Sequence, residues 1–294
     1  MAIPQLEEAA RTAGRSDAEL WNYLGLAYLK KNESKKGRES LETAVALEPA
    51  NHTYRTFLAY AYFLNKDETK ARREIEQVLS AERKNAWAFY VRAKINIGSA
   101  QFDKAIDDAN RISALDQNNP LAFTIKADAN FGKFVERLKK GRRFADEREL
   151  LQRAGDDLRR CLRECPNNAE AAAQQDKLEV IEAFEDAANR LDKNDLGSES
   201  TDAGLSSTKP KILSKPRSTY TDEARKNMIS GEIRILVLLG KDGRVLYAVP
   251  IKRLGFGLDE ESVNAAYRIK FTPATKDGRA VPYAVVISYG FSIS

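Results

Sequence analysis

The stretch Ala18-Glu19-Leu20-Trp21-Asn22-Tyr23-Leu24-Gly25-Leu26-Ala27-Tyr28 decides the fold of the larger part of this 294-residue chain. Trp21, Leu24, Gly25 and Tyr28 recur at the three- and four-residue spacing that puts side chains on one face of a helix. Gly37, Leu41 and Ala44 repeat that spacing and define a second helix. Pro49 ends it, because proline lacks the N–H that a helix interior needs and clashes with the preceding turn. Small Gly25 and Ala44 let the two helices approach. Counted from Ala18, the eight residues occupy positions 4, 7, 8, 11, 20, 24, 27 and 32 of a 34-residue unit.

The same slots recur downstream. A unit from His52 keeps Leu58, Ala59, Tyr62, Ala71, Ile75 and Val78, with Arg55 in the Trp slot and Arg83 in the Pro slot. A unit from Ala86 keeps Phe89, Ala93, Phe102, Ala105 and Ile112, while Arg92 and Asn96 replace apolar residues. A fourth opens at Pro120 with Phe123 and Ala127, is stretched by about 15 residues, and recovers at Ala154, Leu158, Cys161 and Pro166. The pattern resembles the tetratricopeptide repeat (TPR), a helical hairpin that stacks into a solenoid. Helical periodicity from Ala169 to about Leu191 suits a terminal capping helix. By resemblance, the groove that receives a peptide or helix is lined by Asn22 and Leu26, by Thr56, Tyr60 and Phe63, and by Trp87, Tyr90 and Lys94. Packing between hairpins is the other reading of these side chains.

Residues 192–209 are rich in Gly, Ser, Thr and Asp and read as a flexible linker, spanning roughly 20 to 25 Å. After it the periodicity changes to two. Ile233, Ile235, Val237 and Leu239 alternate with their neighbours; a Lys-Asp-Gly-Arg turn follows, and Val245, Tyr247, Val249 and Ile251 alternate again. Leu258 to Ile269 reads as a helix, and a second Lys-Asp-Gly-Arg turn precedes a closing strand. Its Val281, Tyr283, Val285, Ile287, Tyr289, Phe291 and Ile293 share one phase, opposite the small Pro282, Ala284, Ser288, Gly290 and Ser292. One sheet face is therefore expected to be core and the other nearly bare.

Pro216 and Tyr220 before a short helix, the entry strand Ser230 to Val237, Gly255 to Ala274, and the run Asp277 to Tyr283 carry a second resemblance, to the TonB C-terminal domain. Thr221 departs from it, standing where the family has proline. The expected fold is thus multidomain: an all-α TPR solenoid over 1–191, the linker, and a small α+β TonB C-terminal-like domain over 210–294. The resemblance implies energy transducers of the bacterial envelope, whose terminal domain binds an extended segment of an outer-membrane receptor as an added strand. That places the contact along Tyr283, Ala284, Val285, Val286, Ile287, Ser288 and Tyr289, with Arg217 and Tyr220 as secondary contacts. An assembly scaffold whose terminal domain only dimerises stays open beside this reading.

Charge and composition narrow the alternatives. Residues 209–294 hold fifteen Lys/Arg against eight Asp/Glu, and residues 1–208 hold thirty-three against thirty-five, so the overall +5 comes from the smaller part. The cations are scattered singly, with no stripe for nucleic acid. Cys161 and Cys165 and the single His52 supply too few ligands for a metal site, and no nucleophile–base pair or phosphate loop occurs, so neither cofactor nor enzymatic activity is expected. Asp259, Glu260 and Glu261 read as helix-start carboxylates. Met1 to Gly14 carries Glu7 and Glu8 where an export signal needs an apolar run, and no stretch is apolar enough to span a membrane. Ile3 to Ala13 reads as the second helix of a unit lacking its first, as if the chain began inside a longer protein. Localisation is therefore expected to be periplasmic or envelope by resemblance, with the cytoplasm open.

Overall fold

A computed structural model describes residues 3–12, 16–164, 170–192 and 207–293. Its first helices begin at the repeat's own period: α2 spans Ala18–Lys30, α4 His52–Leu64, α6 Ala86–Gly98, and α8 begins at Pro120. Their partners are α3 (Ser34–Leu47), α5 (Glu68–Ala81) and α7 (Phe102–Leu115), with α1 (Ile3–Thr12) ahead of them. Each start is set by a side chain. Asp17, Asn51, Asn85 and Asn119, one period apart, accept hydrogen bonds from the unpaired N–H groups of the turns that follow.

Tight approach within each hairpin rests on small residues in two slots. An added Cβ on Gly25 would lie 2.6 Å from the Leu41 side chain, and one on Gly37 would lie 2.5 Å from Leu29. Ala59 with Ala71 and Ala93 with Ala105 hold the same places in the next units, all fully buried. The polar residues that broke the apolar pattern find buried partners. Arg55 reaches Glu74, and Arg92 grips Asp108 through two bonds of 2.6 and 3.1 Å. Asn96 bridges Asp108 and Arg72.

Cα packing divides the chain into two compact units, 1–129 and 130–294. The second holds the remainder of α8 (Pro120–Lys139), a 3-10 turn at Phe144–Glu147, α9 (Arg148–Glu164), α10 (Ala171–Asp192) and the C-terminal α+β region. The stretched fourth unit therefore takes the form of a longer first helix and a turn. Arg137 and Arg142 both pair with the buried Glu147 and tie that turn down. Cys161 is buried against Gln174; Cys165 and Pro166 lie outside the described residues, as do 193–206 of the expected linker. At the linker's ends, Asp192 closes α10 and Ser207–Thr208 form strand β1.

The α+β region continues with β2 (Lys211–Ser214), α11 (Asp222–Lys226), β3 (Gly231–Leu239), β4 (Val245–Lys252), α12 (Leu258–Ala266), β5 (Lys270–Thr272), β6 (Ala274–Lys276), β7 (Arg279–Val281) and β8 (Tyr283–Phe291). The main sheet is antiparallel in the order β4-β3-β8. Short ladders join β1 to β6, β6 to β7 and β2 to β5. Both Lys-Asp-Gly-Arg turns form, with Gly243 and Gly278 at φ of 81° and 74°. On one face, Ile233, Ile235, Val237 and Leu239 pack with Leu258, Ala265 and Ala266 of α12.

The expectation of a nearly bare second face is overturned. Leu236, Leu238 and Ala284 on that side are fully buried. Tyr247 of β4 meets Phe131 of α8 and Phe184 of α10 edge-on, with ring centroids 5.6 and 5.8 Å apart. Lys241 pairs with Asp176 and Glu179 of α10, and Arg253 donates to the carbonyls of Leu138 and Lys139 at the C-terminal end of α8. The small side chains of the closing strand leave room for a helix rather than for solvent.

Candidate protein-interaction surfaces

Of the eight groove positions, the structure buries Asn22, Thr56 and Tyr90, half-buries Leu26, Tyr60, Phe63 and Lys94, and exposes Trp87. Thr56 bonds back to the His52 carbonyl, a helix-internal contact. Lys94 pairs with the buried Asp128 at 3.1 Å, so its charge is held by the next first helix. Buried Asn22 keeps an Oδ1 with no protein partner among the described residues. The aromatic members do converge. Trp87 stacks edge-on against Tyr90 at 5.3 Å and against Phe57 at 6.2 Å, and Tyr60 lies stacked on Phe63. Phe57, one residue after the Thr56 slot, belongs to this cluster and was not among the sequence candidates. Its signal is only its place, since α4 is apolar on more than one face.

In the C-terminal region the seven strand candidates form most of β8, which among the described residues pairs with β3 alone. β2 pairs with β5 rather than with β8. The strand's polar groups can be sorted by parity. Arg190 Nη2 donates to the Ala284 carbonyl at 2.8 Å and Lys215 Nζ to the Ser288 carbonyl at 3.2 Å, from the side away from β3. Backbone groups alternate sides along a strand, so the N–H and C=O of Val286, between these two, also point to the open side. The sheet's other edge differs. Pro250 of β4 stands opposite Ile235, where its missing N–H faces outward, a common protection of an edge.

The side chains sort separately. Val285, Ile287 and Tyr289 pack into the α12-side core, where burial pushes the Tyr289 hydroxyl above its ordinary value. Tyr283 instead stands under the Arg190 guanidinium, 4.6 Å from its ring centroid. Tyr220 is a structural residue: its Oη donates to the Ile229 carbonyl at 2.5 Å and its ring packs on Phe291. Arg217 is exposed on the segment before α11. Asp259 accepts from the Leu254 and Gly255 N–H groups and is a helix-start residue, as its place predicted. Among the described residues no group of His, Cys, Asp or Glu is placed to hold a metal ion, and no helix is long and apolar enough to cross a membrane. Arg190 and Lys215, the two residues that reach the β8 edge, lie outside the strand and were not foreseen.

Comparison with known proteins agrees with this architecture. Residues 216–293 match the family described as Gram-negative bacterial TonB protein C-terminal, and residues 18–51 match the tetratricopeptide repeat. The chain thus combines a TPR solenoid with a TonB C-terminal-like α+β domain, two kinds of module that point to protein–protein interaction and, for the second, to the cell envelope. Among solved structures it resembles the human IFIT1 dimer with m7Gppp-AAAA, at 14% identity and a TM-score of 0.54. That match covers 68% of this chain and 46% of IFIT1. It also resembles MamA, at 18% identity and a TM-score of 0.40 over 57% of this chain and 84% of that one. PilF of Pseudomonas aeruginosa aligns at 16% identity and 0.42 over 63% and 80%. No curated protein matches the sequence.

Proposed function

We propose that this chain is a non-enzymatic adaptor, with the helical repeats as a solenoid whose groove holds a protein partner, 193–206 as a linker, and the C-terminal α+β region from β1 onward as a domain that binds an extended segment by strand addition. The open side of β8 carries this reading. An edge strand offers main-chain donors and acceptors whatever the side chains of its ligand, and the Val286 N–H and C=O stand there beside two carbonyls already turned outward. The opposite edge is blunted by Pro250. The resemblance to the TonB C-terminal family supports an outer-membrane receptor segment as the ligand and the periplasmic side of the envelope as the setting. In the solenoid, the exposed Trp87, braced by Phe57 and the buried Tyr90, offers rigid aromatic area for a second partner.

The test is Val286→Pro, titrated with a seven-residue acetylated and amidated peptide of alternating Val and Thr. Proline removes the outward N–H without touching the ladder to β3. Amide shifts in the full chain should run along 284–288 on titration, and the variant should fold but lose them. Binding that survives the substitution would refute strand addition. A wild-type dimer in sedimentation that Val286→Pro turns into a monomer would give the edge to a second copy of the chain.

A further inference from the structure

The open side of β8 leads into a cavity of about 400 Å³ at the strand's N-terminal end. Its lining includes the apolar Ala183, Ala274, Pro282 and Ala284 and three cations, Arg190, Lys209 and Lys276, against one carboxylate, Asp186. Arg190 is placed with care. Its Nη1 donates to Tyr283 Oη at 3.0 Å, its Nη2 to the Ala284 carbonyl and its Nε to the Asp186 carbonyl, while its plane lies over the Tyr283 ring. All of these acceptors are neutral. Among the described residues no carboxylate pairs with Arg190, Lys209 or Lys276, so the guanidinium is oriented without being neutralised. A guanidinium has five N–H donors, and three hydrogen bonds leave donors for a further acceptor.

From this we infer that the cavity is a carboxylate subsite, and that the extended segment bound on β8 carries an acidic side chain at the end that enters it. The inference rests on the strand-addition reading and deepens it. Residues in a paired strand advance about 3.3 Å each. A strand seated opposite Val286 therefore brings its residue two places further on alongside Ala284, a lining residue of the cavity. There a carboxylate would meet the remaining donors of Arg190, with Lys209 and Lys276 adding attraction at the mouth. Charge-assisted pairs to a planar guanidinium are stronger than neutral ones and geometrically selective. The cavity end also reports direction: an antiparallel ligand places its C-terminal end there, a parallel one its N-terminal end.

Three capped Val/Thr peptides, titrated onto the full chain by calorimetry, test this: one with Glu at the N-terminal end, one with Glu at the C-terminal end, and one with Gln at both. One Glu peptide should bind about tenfold tighter than the Gln peptide. The advantage should shrink as salt is raised and should vanish in Arg190→Gln. Because Arg190 also caps the Ala284 carbonyl, the double variant Lys209→Gln/Lys276→Gln, on exposed positions, gives an independent reading; it should reduce the preference while leaving the Gln peptide's affinity unchanged. Equal binding of all three peptides overturns the subsite and leaves strand addition standing. No binding by any of them overturns both. A Glu preference that persists in both variants places the carboxylate elsewhere and also overturns the proposal.

Discussion

Single residues carry the closeness of the helices. Gly25 and Gly37 face one another so tightly that a methyl group on either enters van der Waals space held by Leu41 or Leu29. Gly25→Ala should therefore destabilise the first hairpin by about 1–3 kcal/mol, the usual cost of overpacking, as read by urea denaturation; an unchanged midpoint would show that α2 and α3 can part freely. The neighbouring units meet the same need with alanine pairs, which fixes how small the slot must be. Polar residues in apolar slots, such as Arg92, were legible in the sequence as departures from the pattern but not as parts of a network. Their partners, Asp108 and Glu76, sit sixteen residues away in opposite directions, and only packing brings them together.

At the scale of the element, the repeat's punctuation proves as regular as its apolar slots. Asp17, Asn51, Asn85 and Asn119 cap successive first helices. Within the hairpins, Asn32, Lys66 and Ala100, also 34 apart, adopt positive φ of 55–66° between first and second helix. A pattern search that weighs apolar residues passes over both series, because caps and turns contribute no side chain to the core. Asn85→Ala should cost about 1 kcal/mol by unpairing the N–H of Ala88, measurable as a lowered melting temperature; no change would mean that solvent serves that donor equally well. The strands were legible by the same logic. Alternation and two Asp-Gly turns predicted the hairpins, yet alternation speaks only of faces and says nothing of which edge stays open.

Across the second compact unit, the α+β region and α8–α10 share buried surface. Phe184 is the pivot: fully buried, it touches Phe131, Phe134, Phe144 and Tyr247. Phe184→Ala should cost about 3–5 kcal/mol, and hydrogen exchange should accelerate in β3 and β8 as well as in α10. Exchange confined to the helices would show that the sheet is stable without its helical cover. The same proximity brings Arg190 of α10 to the β8 edge, where it meets Tyr283 Oη and the Ala284 carbonyl.

The sequence by itself determined the repeat, its period, the small-residue slots and the α+β order of the C-terminal region, because these follow from local periodicity and from turn chemistry. Tertiary structure alone decided that the sheet's second face is covered, that β8 stands at the end of the main sheet's strand order among the described residues, and that Arg190 and Lys215 stand beside it. Those outcomes depend on contacts between residues 62 to 116 positions apart. No rule of local spacing links side chains so far separated in the chain; only the packing of whole helices and strands does.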